Sequence, residues 1–155
     1  MKSNLEKIDI KLEVQEYYGK ILKTNQDLKS NACCLNSAVP EYLRPLLKLV
    51  HEEVQEKFYG CSSEIPLLLR GKTVIDLGCG SGRDCYLLSQ LVGPEGRVIG
   101  IDMTDEQLAV AKKHVAYHTS KFNYKKPNVE FHKCHIEDLK DAGVADNSAD
   151  IVISN

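Results

Sequence analysis

The chain has 155 residues, of which 43% are hydrophobic, 27% charged and 6% aromatic, with a formal net charge of -2. These values are typical of one ordinary globular domain and exclude disordered and fibrous proteins. The near-neutral net charge provides no general electrostatic attraction for a nucleic acid. No apolar run approaches the roughly 20 residues of a membrane helix and residues 1–13 lack a signal-peptide core, so we expect a cytoplasmic location and no membrane partner.

The first 70 residues have a helical pattern. Apolar residues recur at helical spacing across residues 9–28, which predicts a first helix with one apolar stripe. A polar stretch, residues 29–38, is predicted to be a loop. The apolar positions of residues 39–58 predict a second helix, in which Pro45 is tolerated only where the regular helix begins.

From residue 71 onward, strands and helices alternate. The apolar runs predict strands at residues 73–77, 97–101, 128–132 and 150–154, and a helix at residues 83–92. A further helix starts after Thr104, for which Gln107 completes a predicted capping box. This alternation is typical of an α/β fold, a Rossmann-like doubly wound parallel sheet.

The sequence ends at Asn155, directly after the predicted fourth strand. A parallel sheet with both faces covered normally has more than four strands. We therefore expect an N-terminal helical extension, residues 1–70, followed by a domain of residues 71–155 that is truncated after its fourth strand.

A glycine-rich turn follows the first strand and opens the next helix. Gly78, Gly80 and Gly82 allow positive φ and a close approach of the backbone to a ligand. The dinucleotide fingerprint G-x-G-x-x-G/A lacks its third small residue here. Asp76 would repel a pyrophosphate but suits a ligand with a cationic amino-acid end, such as S-adenosylmethionine. Asp102, at the end of the second strand, can take both ribose hydroxyls.

These features resemble the class I S-adenosylmethionine-dependent methyltransferases over residues 71–155. The resemblance is carried by Asp76-Leu77-Gly78-Cys79-Gly80-Ser81-Gly82 and Gly100-Ile101-Asp102-Met103. It implies that the glycine turn holds the methionine part of the cofactor and Asp102 the ribose. It also implies that Met103 covers one face of the adenine and that Ile136 and Glu137 lie at its edge. The competing interpretation is that Asp76 caps a turn and that Asp102 is an ordinary acid at a strand end.

The cysteines are the feature that bears on the methyl acceptor, because a methyltransferase fold alone does not define its substrate. Six cysteines are too few for a secreted disulfide scaffold, so we expect thiols. Cys33 lies in the polar loop and Cys61 follows a helix end. Thiolates select soft thiophilic ions, and trivalent arsenic accepts three of them while its lone pair stays free. The alternative for any one cysteine is a small buried apolar residue, and Cys79, Cys85 and Cys134 are interpreted in that way.

The whole chain resembles the arsenite methyltransferases, of the animal type. The matching segments are Val14-Gln15-Glu16-Tyr17-Tyr18-Gly19, Asn31-Ala32-Cys33, Val50-His51-Glu52-Glu53-Val54, Tyr59-Gly60-Cys61, residues 82–93 and residues 150–155. Four cysteines act on arsenic in that family, and Cys33 and Cys61 match the first two by their flanking residues. The resemblance thus implies that Cys33 and Cys61 are catalytic ligands of arsenic(III). The third family cysteine directly follows the match at Asn155 and the fourth lies further on, while Cys34 is an extra neighbour that could replace Cys33.

The activity implied by this resemblance is methylation of trivalent arsenic by S-adenosylmethionine. Arsenite or its glutathione conjugate is the implied substrate, and glutathione or thioredoxin the implied reductant. The nucleophile is a lone pair, so no general base is needed, and in-line placement with desolvation provides most of the catalysis. Because two of the four family cysteines are present, we expect little activity from these residues alone. Two alternatives stay open: a methyltransferase for another small acceptor, and a non-catalytic truncated isoform that binds cofactor.

The five histidines are not expected to form a metal set. His114 and His118 are four residues apart on one predicted helix, a spacing that can bind zinc, but that helix offers no third ligand. We therefore expect both side chains on a solvated face.

Overall fold

The computed structural model describes residues 10–23, 39–60 and 65–155, and its centre is a four-stranded sheet. All neighbouring strands are parallel, in the order β3-β2-β1-β4. The strands are β1 (Thr73–Leu77), β2 (Arg97–Asp102), β3 (Val129–Lys133) and β4 (Ile151–Ser154). The predicted α/β class and the doubly wound parallel order are therefore confirmed, with strand bounds within one residue of those expected.

Strand register brings the two predicted cofactor acids to one edge of the sheet. In the β1–β2 pair, Asp76 lies opposite Gly100 and Leu77 opposite Ile101, so both strands end together. Gly100 is needed because a Cβ there would lie 2.6 Å from the Phe131 ring. Parallel strands of an open α/β sheet bind their ligands at this carboxyl edge.

The N-terminal segment begins with the predicted helix but does not bury its stripe. Helix α1 (Ile10–Glu16) continues into a π-helical turn, Tyr17–Ile21, and the predicted continuation to residue 28 lies outside the described residues. Ile10 is 71% exposed, and within residues 10–23 Leu22 is the one buried side chain. The apolar spacing therefore identified a helix without identifying a core face.

The second predicted helix is not continuous, so the expectation of one helix over residues 39–58 was wrong. A 3₁₀ turn (Glu41–Leu43) leads into α2 (Arg44–Leu47), with Pro45 in its first turn as expected, and α3 (Glu52–Glu56) follows separately. His51 causes the break. Its backbone N–H donates to Nε2 of His118 at 3.1 Å, and its Nδ1 accepts from the Glu53 N–H at 3.1 Å, which starts a new helix.

The helices of the second half flank the sheet. Helix α4 (Arg83–Val92) has the predicted bounds and ends at Gly93, and it is followed by α5 (Asp105–Lys113) and α6 (Val115–Lys121). The predicted capping box is wrong. Thr104 holds the N-cap position of α5 without a side-chain capping bond, and Gln107 donates instead to the Tyr18 carbonyl at 3.4 Å.

The expectation that His114 and His118 lie on a solvated face was also wrong. Both are buried, and His118 is only 1% exposed. Its ring stacks on Tyr86 with the centroids 3.5 Å apart, and its Nδ1 lies 2.8 Å from the His114 carbonyl oxygen. Since Nε2 accepts from His51, a neutral ring with the proton on Nδ1 satisfies both bonds.

One apolar core joins the described part of the extension to the sheet domain. Side chains from both halves share it, including Leu43, Leu47, Val54, Val74, Leu87, Leu88, Val98 and Phe131. The domain boundary near residue 70 stays a prediction. Among the described residues, no helix combines the length and apolar character that spanning a bilayer requires.

Buried His118 makes stability depend on pH. Burial lowers the pKa of His118 to about 4, whereas an unfolded histidine titrates near 6.5. As pH falls from 6.5 towards 4, His118 becomes protonated in the unfolded chain but stays neutral in the folded chain. His118 therefore lowers the free energy of unfolding in this range by at most about 1.4 kcal/mol per pH unit, while buried Asp76, whose pKa is raised to about 7 in the folded chain, acts in the opposite direction.

Urea unfolding between pH 5 and 6.5 isolates the His118 contribution as the difference in slope between the unaltered chain and His118→Phe, because Asp76 and Glu53 contribute equally to both. His118→Phe should shift the slope towards greater stability at low pH, and His132→Gln, at a half-exposed strand position, should keep the slope of the unaltered chain. An equal slope in His118→Phe and the unaltered chain would contradict this account.

Candidate cofactor site at the carboxyl edge of the sheet

A cavity of about 340 Å³ opens at the carboxyl edge of β1 and β2. Its walls come from the glycine turn, the strand ends, residues 57–60, residues 134–137 and the N-terminal segment. This volume lies within the range of small-molecule sites. Its position is where doubly wound sheets bind ligands.

The glycine turn divides into a cavity-facing part and a packing part. Gly78 and Gly80 line the cavity with φ of +77° and +53°, and a Cβ on Gly78 would meet no atom within 4 Å. Gly82, with φ of +84°, lies outside the cavity lining, and a Cβ there would stand 2.8 Å from Phe131. The first two glycines can therefore admit a ligand close to the backbone, whereas Gly82 lets α4 pack against β3.

Asp76 is a buried carboxyl group in the cavity wall. Desolvation raises the pKa of Asp76 to about 7, and the negative charge of neighbouring Asp84 acts in the same direction. The Cys85 thiol donates to its Oδ2 at 3.3 Å. A cation entering the cavity here would stabilise the ionised form and gain a charge-assisted partner.

Asp102 ties together the segments that form the cavity. Its Oδ2 accepts from the Gly80 N–H at 2.8 Å, and its Oδ1 accepts from the Thr104 N–H at 2.8 Å. Each carboxylate oxygen has a further acceptor position. The side chain lines the cavity, so it can accept a pair of hydroxyl groups while it keeps the turn in place.

Met103, Ile136 and Glu137 all line the cavity. The N-terminal helix contacts two of these residues. Lys11 pairs with Glu137 at 2.8 Å, a hydrogen bond that lowers the pKa of Glu137, and Gln15 Nε2 donates to the Met103 carbonyl at 2.8 Å.

Several cavity residues were not predicted from the sequence: Lys11, Tyr18, Phe58, Asp84, Gln107 and Asn155. Gln107 is the most informative because it is 5% exposed and its Oε1 is the one buried side-chain atom without a partner among the described residues. An orphaned acceptor in a cavity wall is free to accept a hydrogen bond from a bound molecule. The capping-box signature concealed this role.

Cys33 and Cys61, the predicted arsenic ligands, lie outside the described residues. The residue before Cys61 is nevertheless placed. Gly60 lines the cavity beside Asn155, and a Cβ on Gly60 would lie 3.3 Å from the Asn155 amide nitrogen. The Asn155 amide donates to Asp84 at 3.1 Å. The segment entering Cys61 and the end of β4 therefore meet at one side of the cavity.

His51, Glu53 and His114 form the one described group of side chains close enough to share a metal ion. Glu53 Oε2 lies 2.7 Å from the Lys113 ammonium and 2.6 Å from His114 Nε2. The two imidazole rings are stacked with centroids 3.8 Å apart. Because the Lys113 ammonium already pairs with the carboxylate and His51 Nδ1 already accepts the Glu53 N–H, we interpret this cluster as a hydrogen-bonded ion-pair network.

A doubly wound sheet with a glycine turn and two acids at its carboxyl edge defines a Rossmann-like cofactor-binding domain. A family model described as a methyltransferase domain matches residues 68–155. The chain belongs to this methyltransferase family.

The chain is similar to curated arsenite methyltransferases. It is 53% identical to that of Aquipseudomonas alcaligenes over 142 residues, covering 92% of this chain and 40% of that protein. It is 52% identical to that of Rattus norvegicus over 148 residues, covering 95% and 40%. The resemblance predicted from the sequence is thus confirmed, and the chain spans about two fifths of the length of these relatives.

The chain is also similar in structure to a solved methyltransferase. An arsenic(III) S-adenosylmethionine methyltransferase from Chlamydomonas reinhardtii aligns with a TM-score of 0.72 and 49% identity, covering 75% of this chain and 39% of that one. The predicted methyltransferase fold is therefore confirmed.

Alanine substitutions of Gly82 and Gly143 test whether Gly82 is needed for packing. Both have positive φ, but a Cβ on Gly143 would meet nothing within 4 Å. Gly143→Ala should cost about 1 kcal/mol in backbone strain. Gly82→Ala should cost about 1–3 kcal/mol more, because its methyl group must displace Phe131. Urea unfolding measures both, and equal losses would show that Gly82 serves only the backbone conformation.

Proposed function

We propose that this chain binds S-adenosylmethionine in the carboxyl-edge cavity and belongs to the machinery of a methyltransferase that methylates trivalent arsenic. The observation that carries the proposal is the joint presence of Asp76, Asp102 and the open glycine turn in one cavity. The similarity to arsenite methyltransferases along nearly the whole chain supports the substrate.

The cavity residues fit this cofactor by their chemistry. Asp76 would bind the cationic amino-acid end, with Gly78 and Gly80 leaving room for the methionine part. Asp102 would accept the ribose hydroxyls, and Met103 and the Ile136–Glu137 pair would bind the adenine. The orphaned Gln107 Oε1 supports a ligand that carries a hydrogen-bond donor. When bound, the cofactor supplies a methyl group on a positively charged sulfur.

We propose that Cys33 and Cys61 bind arsenic(III) next to this cavity, with Cys34 as a neighbour that could replace Cys33. The position of Gly60 in the cavity wall supports this, because Cys61 is the next residue. Arsenite or its glutathione conjugate is the proposed substrate. The arsenic lone pair forms the new As–C bond as the carbon–sulfur bond breaks, so these residues need only bind and orient arsenic and exclude water.

Methyl transfer formally oxidises arsenic by two electrons. A thiol reductant, glutathione or thioredoxin, returns it to the trivalent state and becomes a disulfide. A cytoplasmic location, where such reductants are abundant, belongs to the same proposal.

Asp76 makes cofactor affinity depend on pH. The pKa of Asp76 is about 7 in the free protein, and the proposed complex requires the ionised form. S-adenosylhomocysteine, which keeps the cationic amino-acid end, should therefore bind about tenfold more weakly at pH 6 than at pH 8. Calorimetric titration at pH 6, 7 and 8 measures the effect.

The Asp76→Asn variant should bind S-adenosylhomocysteine more weakly, and its affinity should no longer depend on pH in this range. Asp146→Asn, an exposed acid outside the cavity wall, should keep both affinity and slope. A pH dependence that survives in Asp76→Asn would rule out the assigned role.

The arsenic site is tested by titrating the reduced protein with arsenite and following thiolate–arsenic charge-transfer absorbance. The double variant Cys33→Ser with Cys34→Ser, and the single variant Cys61→Ser, should each lose the one equivalent of arsenic bound by the extension, because each removes a soft ligand. Cys134→Ser, which removes a described buried thiol, should keep it. Unchanged arsenic binding in both extension variants would favour a methyltransferase for another small acceptor or a non-catalytic cofactor-binding chain.

A further inference from the structure

Cys79 and Cys85 form a buried thiol pair beneath the glycine turn. Each sulfur lies 2.9 Å from the point where a Cβ on Gly100 would stand. The Cys79 thiol is directed at the Gly80 carbonyl and the Cys85 thiol at Asp76. Cys79 belongs to the turn and Cys85 to the first turn of α4, so folding brings them together. The sequence alone predicts only a packing role for both.

The pair lies behind the wall of the cofactor cavity, and Cys85 is fully buried. Cys79 lines the cavity, and so does Asp76, whose Oδ2 accepts from the Cys85 thiol at 3.3 Å. The opposite side is filled, since Phe131 lies 2.6 Å from the Cβ position of Gly100. A ligand of the two sulfurs must therefore enter through the cavity.

The chemistry of two adjacent neutral thiols selects a particular ligand. Burial raises the pKa of both thiols, so both carry their protons at neutral pH. A monosubstituted trivalent arsenical, RAs(OH)₂, has two exchangeable hydroxyl groups and is thiophilic. Two As–S bonds form and two As–O bonds break, and the two thiol protons leave with the hydroxyl groups as two molecules of water. Arsenic stays trivalent, so no oxidant or reductant is required.

We propose that Cys79 and Cys85 together form a second site for monosubstituted trivalent arsenicals, distinct from the extension cysteines, and that its occupation opposes cofactor binding. The opposition follows from position, because the arsenic and its substituent enter beside Gly80, where the cofactor is proposed to lie. Because coupling is reciprocal, bound cofactor protects the thiol pair to the same degree. This inference rests on the proposed cofactor site. It makes a singly methylated arsenical an inhibitor of the domain that would produce it.

The test uses the full chain with Cys33, Cys34 and Cys61 replaced by Ser, and phenylarsine oxide as the probe. Native mass spectrometry counts bound phenylarsine, and calorimetry measures S-adenosylhomocysteine affinity with and without one equivalent of probe. We expect one phenylarsine per chain and at least a tenfold loss of cofactor affinity. Cys79→Ser in this background should bind no phenylarsine, and its own affinity should not change with the probe. Cys134→Ser in this background should still bind one phenylarsine, because Cys134 is not part of the pair.

Each outcome decides a separate claim. A chain that binds no phenylarsine, or a Cys79→Ser variant that still binds it, overturns the thiol site. Bound phenylarsine without loss of affinity overturns the antagonism. Failure of S-adenosylhomocysteine to bind before the probe is added contradicts the proposed cofactor function, while the phenylarsine count still tests the thiol pair. Cys85→Ser gives a second check if Cys79→Ser unfolds.

Discussion

The carboxylate of Asp102 is the interaction on which the cavity depends. It accepts one backbone N–H from the glycine turn and one from the start of α5, so three segments of the chain converge on one side chain. Charge-assisted bonds of this kind are stronger than neutral ones. The shape of the cavity therefore depends on a residue that also faces the ligand. A substitution of Asp102 would alter both the ligand contacts and the positions of the segments that form the cavity.

The layer beneath the turn is equally constrained. Gly82 and Gly100 both lie against Phe131, where a Cβ would collide with the ring. Two thiols fill the remaining space. Such close packing transmits a change at one atom to its neighbours, which is why occupation of the thiol pair is expected to reach the cofactor position.

The elements between residues 73 and 102 were predictable because their signals are local: continuous apolar runs for β1 and β2, and glycines that start and end α4. The acids and glycines of the cavity followed from the same segment. The break before α3, the burial of His118 and the use of Gln107 were not predictable, because each depends on a distant partner. His51 meets a residue 67 positions away, and Gln107 one 89 positions away. Lys11 and Tyr18 enter the cavity wall for the same reason.

The central claim is that the carboxyl-edge cavity binds S-adenosylmethionine through its two acids. A crystal structure of the chain with S-adenosylhomocysteine tests it most directly. The account predicts both ribose hydroxyl oxygens about 3 Å from the Asp102 carboxylate and the ligand ammonium beside Asp76. A ligand bound elsewhere, or turned so that its ribose leaves Asp102, would contradict the assignment.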